Sequence, residues 1–582
     1  MIIFKLNNRH FVRDLFGTII IIVLLSFVLL YSHTYHIEQK TVLQYAIFAL
    51  SLFSMTIAGF QLRRQWKITS KEVILWIFLC CILVLSVFSK YSILYVCFKL
   101  GIVINLYFVF KIFFEKGSIR LLYMCLIFCC LCEIIYGISD IPQNIHGICG
   151  HFDNPAGLAA TIVVLFPFTL FLIYDKYTKI YGYVAIVIFV LGIVLSKSRA
   201  GLLSVCCMVL IYCAYSMKER FLKLPRIKRL FFYGFAPVSI VTFLFLLYSL
   251  NRDSANGRLL IWHVSTDMFV DKPFWGHGAN CFDAEYMENQ ANYFMSHTDS
   301  KYSYLADNVK QPFNIYVGIL LEYGISGFIL FTILLAFFLK RKWSMASNEE
   351  KIALLSLFGL SIFGFFSYPL YYLPVFILVI IDLLILAVRS NKVVIPSIPF
   401  YYFFPVLATI FCIGIFSSAK TMELDREWRT LKSKFRTNVD MPDILTQYEC
   451  LYALKQFDDP LFLYNYGAVL HACKKYQQSI AVLSACKTQM DDFDVRIILT
   501  DSYFQEKDYI NAEYHARIAY YMCPSRFISA YYLVLAYTKN GKMKLAKELA
   551  EETVAKPVKI KNTDAYKIKL KLKQMLKKGL IH

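Results

Sequence analysis

The sequence predicts an all-α membrane protein with a smaller helical domain at its C-terminus. Of its 582 residues, 58% are hydrophobic and 17% are charged, and the mean hydropathy is +0.54. Soluble domains carry about 25% charged residues, so this composition indicates a polytopic membrane protein. Apolar segments recur along residues 15–418, and polar, helix-forming sequence follows them.

The apolar segments are long enough to predict about thirteen membrane-spanning helices. We place these spans at 15–32, 42–60, 73–88, 92–114, 119–138, 156–174, 180–195, 201–215, 230–249, 314–339, 351–366, 371–388 and 399–418. Most of the 17 cysteines lie inside them, where a thiol packs as a small hydrophobe. We predict no metal and no cofactor.

Lysine and arginine are unevenly distributed over the loops between these spans. Most lie in the N-terminus and in alternate loops, at 61–72, 111–120, 175–180, 216–229, 340–350 and 389–398. Cytoplasmic loops retain such cations, so we expect a bacterial inner-membrane protein with its N-terminus inside and with the loop at 250–313 and the tail in the periplasm. The net charge of +21 then comes mainly from cytoplasmic loops, which argues against nucleic-acid binding.

Residues 1–418 form the predicted membrane domain, and residues 419–582 form a second one that resembles tetratricopeptide repeats. A shift of about 33 to 34 residues aligns Ser479, Ala512 and Ala546, and small residues there would let the helices of an α-solenoid pack closely. Such a domain is expected to bind or brace a partner and not to catalyse a reaction. The alternative to a repeat stack is an irregular helical bundle. The lysine-rich final stretch is expected either to lie on anionic lipid or to cap the stack.

The predicted outer loop at 139–155 contains no lysine or arginine and ends in Asn154-Pro155. Asparagine is a favoured N-cap and proline a favoured first helical residue, so the dipeptide predicts a helix start. It predicts equally well a polar pocket wall in which Gly150, His151 and Asn154 surround a helix N-terminus.

The outer turn SKSRAGLL, at 196–203, holds Lys197 and Arg199 against the general charge bias. An arginine at the membrane edge can simply extend to the interface. Two cations on the outer side instead favour an anion such as a diphosphate, because the planar guanidinium can contact two oxygens at once.

The long loop and the segment after it carry further candidates. Arg258 lies on an amphipathic stretch, and the turn Gly276-His277-Gly278 follows. The loop's histidines are too dispersed to predict a metal site. The outer end of the tenth span holds Asp307, Lys310, Asn314, Tyr316 and Glu322. Asn314 and Glu322 are spaced to share a helical face, and a carboxylate inside a span is costly enough to predict a function.

Four segments, in this order, resemble the O-antigen ligase and polymerase superfamily of bacterial envelope assembly. They are GHFDNPAGLAA, SKSRAGLL, GRLLIWHVSTDMFVDKPFWGHGANCF and QPFNIYVGILLEYGISG. The resemblance implies metal-independent transfer of a glycan from an undecaprenyl-diphosphate-linked donor, and it assigns Arg199 and Arg258 to the diphosphate leaving group. We therefore predict as catalytic residues Arg199, Arg258, Glu322 and Asn314, and as substrate-binding residues Lys197, Asn154, His151, His277, Lys310 and Tyr316.

The last of these segments departs from the superfamily pattern. Its ligases carry a histidine directly before the asparagine as a candidate base, and Phe313 occupies that position here. Because phenylalanine cannot accept a proton, we expect another group to activate the acceptor hydroxyl. The candidates are Glu322, Asp307, His277 and His297; different acceptor chemistry and an inactive chain are the alternatives.

Three acceptors fit the resemblance: lipid A-core for a ligase, another glycan for a polymerase, and a protein hydroxyl for a protein O-oligosaccharyltransferase. A repeat domain outside the membrane would recruit an acceptor or a protein partner, so we predict the ligase type. A transporter of lipid-linked glycan would need polar groups along a path through both leaflets, whereas the candidates here lie at one face. A noncatalytic assembly scaffold is a third possibility.

Overall fold

The computed structural model describes residues 8–35, 65–87, 93–139, 147–173, 176–216, 225, 248–249, 252–340, 346–389, 393–399, 404–436, 441–454, 459–558 and 563–578. The chain divides into two compact units. The first unit contains Met1–Leu247, Phe313–Tyr316 and Ser326–Met422, and the second contains Tyr248–Pro312, Val317–Ile325 and Glu423–His582. The long loop is therefore grouped with the tail.

Thirteen helices are described up to residue 436, and most of them overlap a predicted apolar segment. They are α1 (Asn8–Tyr35), α2 (Ser70–Val87), α3 (Ile93–Phe113), α4 (Arg120–Ser139), α5 (Pro155–Ile173), α6 (Lys179–Leu195), α7 (Arg199–Ser216), α8 (Arg252–Asp271), α9 (Cys281–Ser296), α10 (Ile315–Leu339), α11 (Asn348–Gly364), α12 (Leu373–Val388) and α13 (Phe404–Arg436). Of these, α8 and α9 belong to the long loop. The predicted span at 42–60, and all of 230–249 except residues 248–249, lie outside the described residues.

The prediction of an all-α protein is confirmed. Among the described helices, α4, α5 and α10 are long and apolar enough to cross a membrane, and α6, α7 and α12 are shorter apolar helices. The count of about thirteen crossings stays a prediction. The last predicted span, at 399–418, differs most, because α13 continues as one helix to Arg436.

Helix α5 lies at the centre of the first unit. Leu158, Ala159, Ile162 and Val163 are fully buried, and the helix packs against α4, α6, α7, α11 and α12. A helix surrounded on all sides needs apolar residues at every position rather than along one stripe. The segment that leads into α5 is thus attached to a well-packed scaffold.

Two short strands, which the sequence did not predict, join distant parts of the first unit. β1 (Gln65–Thr69) pairs antiparallel with β2 (Val393–Pro399). At the end of β1, Thr69 and Glu72 form a capping box at the start of α2, since each side chain accepts the other's backbone N–H. Glu72 also forms a buried ion pair with Lys111 at 2.8 Å.

The tail is a series of short helices that pack as consecutive pairs. They are α14 (Met441–Ala453), α15 (Pro460–Ala472), α16 (Tyr476–Lys487), α17 (Phe493–Gln505), α18 (Tyr509–Met522), α19 (Phe527–Lys539), α20 (Met543–Ala555) and α21 (Thr563–Lys577). Helices α15, α17 and α19 begin at intervals that match the predicted period, and Ser479, Ala512 and Ala546 are fully buried. The apolar face of α21 packs against α19 and α20, as expected of a capping helix.

Candidate functional site

The loop before α5 has the predicted helix-start geometry. The Asn154 side-chain oxygen accepts the backbone N–H of Ala156 at 2.9 Å, and Pro155 is the first helical residue. Gly147 and Gly150 have φ angles of 122° and 63°, a region that glycine enters at little cost. The glycines let the loop turn sharply before the capped helix begins.

The turn before α7 is built in a similar way. The Ser198 hydroxyl accepts the backbone N–H of Gly201 at 3.2 Å, so serine caps the helix and Arg199 becomes its first residue. Arg199 is half-buried and Lys197 is exposed. A guanidinium at this position adds to the positive end of the helix dipole.

These two segments lie against each other within the first unit. The backbone N–H of Ile148 donates to the Leu195 carbonyl at 3.2 Å. A Cβ on Gly147 would stand only 2.7 Å from the Ser196 carbonyl oxygen, so only glycine permits the approach. The structure thus brings together the segments that carry four predicted site residues, which are His151, Asn154, Lys197 and Arg199.

A carboxylate that the sequence reasoning missed contacts His151. Glu133, on α4, accepts the His151 backbone N–H at 3.0 Å, and its two oxygens lie 3.1 and 3.0 Å from the imidazole Nδ1. The Tyr136 ring stacks on the imidazole with centroids 3.9 Å apart. Glu133 lies inside the predicted span at 119–138, so the argument that selected Glu322 could have found it.

Phe313 occupies an aromatic cluster in the first unit. Its ring contacts Tyr368 edge-on at 5.1 Å between centroids, Tyr368 stacks on Tyr372 at 5.6 Å, and Tyr372 meets Phe152 at 5.8 Å. Phe152 directly follows His151 in the chain. Phe313 therefore packs as an apolar residue, in a cluster that reaches the loop before α5.

Asn314 and Tyr316 also belong to the first unit, and both have clear structural partners. The Asn314 side-chain oxygen accepts the backbone N–H of Tyr316 at 2.9 Å, so it caps α10. The Tyr316 hydroxyl donates to the Ser361 carbonyl at 2.9 Å. These contacts define the start of α10, while a substrate role for either residue stays a prediction.

Glu322 and the Gly276-His277-Gly278 turn meet in the second unit, at an interruption of α10. The N–H groups of His277 and Gly278 donate to the carbonyls of Leu321 and Glu322 at 2.7 and 2.9 Å. Gly324 has φ 63° and ψ −164° there. The Glu322 side chain accepts the Asn280 backbone N–H at 3.3 Å, so it helps to hold the turn.

His277 is buried and pinned at both ring nitrogens. Its Nε2 lies 2.7 Å from the Met268 carbonyl oxygen, and its Nδ1 lies 2.5 Å from a Glu285 carboxylate oxygen. Burial alone would lower the pKa of His277, but the hydrogen bonds to Glu285 and Met268 outweigh it and raise this pKa above its usual value. These contacts favour a charged histidine that fixes the turn over a base that accepts protons.

The remaining predicted residues of the second unit are Arg258 and Lys310. Arg258 is half-buried on α8. Lys310 forms an ion pair of 2.5 Å with Asp492, which caps α17 in the tail. Asp307 likewise pairs with Arg526, of α19's N-cap, at 2.7 Å. Both residues therefore fasten the long loop to the tail.

The described residues contain no cluster of three or more His, Cys, Asp or Glu side chains that could hold a metal ion. The first unit presents a half-buried arginine at a capped helix N-terminus, beside a loop that carries a carboxylate-bound histidine. Such a set can bind an anion and can move a proton.

No curated protein matches this chain. Residues 184–332 match the model of the O-antigen ligase family. The matched segment runs from α6 into α10 and includes Arg199, Arg258 and Glu322, but neither His151 nor the tail. That family consists of membrane proteins, and the match implies a glycosyltransferase-like enzyme that acts on lipid-linked glycans. The match thereby supports the assignment of this chain to the O-antigen ligase superfamily.

Proposed function

We propose that this protein transfers a glycan from a polyprenyl-diphosphate-linked donor to an acceptor hydroxyl, as an O-antigen ligase does. The donor carrier is undecaprenyl diphosphate, and the reaction needs no metal. The observation that carries the proposal is the packing of the loop before α5 on the turn before α7, within a chain that matches the O-antigen ligase model at 184–332.

Charge develops on the diphosphate as the bond from the anomeric carbon breaks. We assign Arg199 to that diphosphate, since its guanidinium and the capped N-terminus of α7 both favour negative charge at this point. Groups that are already fixed in place stabilise the developing charge without reorganisation. The resemblance assigns Arg258 to the same diphosphate, and the experiment below tests this residue in parallel.

The proposed location is the outer face of a bacterial inner membrane. Two observations agree with the alternating topology on which this location depends. β1 and β2 pair segments that the charge bias places on the inner side, and the long loop and the tail, both predicted outside, belong to one compact unit. Each pairing is possible only when both segments lie on the same side of the membrane.

We also propose that the tail is a tetratricopeptide-like stack whose partner includes the chain's own long loop. The paired helices, their period and the buried small residues support the repeat assignment. The Lys310–Asp492 and Arg526–Asp307 pairs support the bracing role. Acceptor recruitment, which favoured the ligase type at the level of sequence, would then use other surfaces of the stack.

Purified full-length protein, supplied with a synthetic undecaprenyl-diphosphate disaccharide, tests the enzymatic proposal. Lipid A-core, a free glycan and a serine peptide serve as acceptors, with a chelator present throughout. We expect transfer by the wild type and a 10²–10³-fold lower rate for Arg199→Ala, with a large loss for Arg258→Ala as well. The new glycosidic bond is measured by mass spectrometry.

Arg120→Ala is the matched control, because Arg120 is also a half-buried first residue of an apolar helix but lies on the predicted inner side. Its rate should stay within about twofold of wild type. Wild-type turnover that survives replacement of both Arg199 and Arg258 would overturn the assignment. Movement of the glycan across liposomes without a new bond would establish transport instead.

A further inference from the structure

Glycan transfer to a hydroxyl releases a proton, and the residue that accepts it is the missing part of the proposed reaction. The position where a base is expected holds Phe313, which packs in an aromatic cluster. A group elsewhere must therefore remove the proton if the reaction is to proceed rapidly near neutral pH. The inference below rests on the proposed function.

Three of the four alternatives drawn from the sequence already have contacts that a base would have to give up. All four lie in the second unit. His277 is held at both ring nitrogens, Asp307 pairs with Arg526, and Glu322 supports the turn at Asn280. The Nδ1 of His297 lies 3.0 Å from the carbonyl oxygen of Tyr293, so this exposed histidine is oriented by a neutral acceptor, which stabilises an imidazolium less than a carboxylate does.

His151 and Glu133 form the arrangement that a catalytic base needs. Both carboxylate oxygens lie within hydrogen-bond distance of Nδ1, so the carboxylate holds the proton on that nitrogen. The lone pair then resides on Nε2, as in other histidine bases oriented by a carboxylate. The stacked Tyr136 ring and the backbone bond to Glu133 fix the plane of the imidazole.

The dyad also lies in the right part of the fold. His151 belongs to the loop that packs on the turn before α7, where Arg199 is the first helical residue. A Cβ on Gly150 would stand 2.9 Å from a Glu133 carboxylate oxygen, so this glycine is what lets the loop approach the carboxylate. The loop, the glutamate and the arginine all belong to the first unit.

We propose that His151, which the sequence predicted as a substrate-binding residue, acts instead as the general base of this enzyme and that Glu133 is its positioning residue. The acceptor oxygen attacks the anomeric carbon of the donor as its proton passes to Nε2 of His151. The bond from that carbon to the diphosphate breaks, and the diphosphate leaves with the electron pair. The imidazolium formed is stabilised by Glu133 and returns its proton to solvent.

The decisive experiment measures transfer and donor binding separately, with the acceptor that the wild type uses fastest. We expect His151→Gln to lower the transfer rate 10²–10⁴-fold at pH 7, while binding of the undecaprenyl-diphosphate disaccharide stays within twofold of wild type. Imidazole added to His151→Gly should restore part of the rate. Equal loss of transfer and donor binding would overturn the proposal.

Glu133 is tested by measuring turnover and donor binding separately. A carboxylate that orients the imidazole acts on the chemical step, so Glu133→Gln should lower kcat by more than about 10-fold while the KM for the donor stays within twofold of wild type. A purely structural glutamate would change donor binding together with kcat, and a Glu133→Gln variant with the wild-type kcat would overturn the positioning role. Glu133→Asp should recover part of the rate.

His471→Gln is the matched control. His471 also pairs with a carboxylate, that of Asp501, at 3.0 Å, but it lies in the tail, and its loss should leave transfer within twofold of wild type. A wild type that transfers no glycan would refute the proposed function itself. A wild type that transfers, together with a His151→Gln variant of equal rate, would refute only the assignment of the base.

Discussion

Single glycines decide how closely two segments of the second unit can approach. A Cβ on Gly324 would stand 2.4 Å from the Phe274 carbonyl oxygen, and one on Gly276 would stand 2.6 Å from the Glu322 carbonyl carbon. The φ and ψ angles of Gly324 lie in a region that other residues essentially never adopt. The interruption of α10 is thus a consequence of one residue type.

We therefore predict that Gly324→Ala destabilises the second unit by about 1–3 kcal/mol. The free energy of unfolding can be followed by limited proteolysis of purified full-length protein across a denaturant series. Gly257→Ala is the control, since a Cβ there meets nothing within 4 Å and alanine is favoured inside a helix. A Gly324→Ala protein as stable as this control would contradict the account.

Residue types also explain what the sequence could and could not predict about the site. Asn154 and Pro155 predict a helix start because asparagine is favoured at the N-cap and proline at the first helical position. The structure confirms this helix start. The contact of Glu133 with His151 depends on packing between segments that are separated in the chain, which no local pattern encodes. The sequence does show that Glu133 lies in an apolar segment, but it does not show that His151 is the residue that Glu133 contacts.

At the scale of elements, helix α9 of the long loop is held by the tail. The Gln290 amide donates to the Met522 carbonyl at the end of α18, at 2.6 Å. Arg496, on α17, is completely buried, pairs with Asp491 through two nitrogens and reaches Glu288 at 3.4 Å. The tail therefore stabilises the conformation of the loop that carries Arg258.

We predict that Arg496→Ala destabilises the loop and the tail together, by about 3–5 kcal/mol, because it leaves a buried carboxylate without its partner. Protease cleavage mapped by mass spectrometry should then increase both within 250–312 and within 459–558. Arg517→Ala, an exposed change on α18, should alter stability by about 0.5 kcal/mol or less. Faster cleavage of the tail alone would argue against the bracing role.

For the secondary structure too, the sequence predicts features that depend on local composition but not those that depend on contacts between distant segments. Apart from α8 and α9 of the long loop, helices α2 to α12 begin and end within a few residues of predicted apolar segments, because a run of apolar residues is a local property. The continuation of α13 to Arg436 was not predicted. Polar composition marks the end of a membrane span, but it does not mark the end of a helix. The grouping of the loop with the tail depends on ion pairs such as Lys310–Asp492, which the sequence alone does not link.

At the scale of the whole molecule, the charge bias predicts which side of the membrane each segment faces. Alkaline phosphatase, which becomes active only in the periplasm, should be active when fused after His582. It should be inactive when inserted within 217–224. A fluorescent protein that matures only in the cytoplasm should give the opposite pattern at both positions. Phosphatase activity at the internal position would reverse the proposed orientation.

The pairing of β1 with β2 has a consequence for biosynthesis. Residues 65–69 leave the ribosome long before residues 393–399 are synthesised. The first strand therefore remains unpaired while the intervening helices enter the bilayer. An unpaired strand edge is open to association with other chains. Chains that stall or are cut before residue 393 should therefore aggregate or be degraded, even though most of their helices have already been inserted.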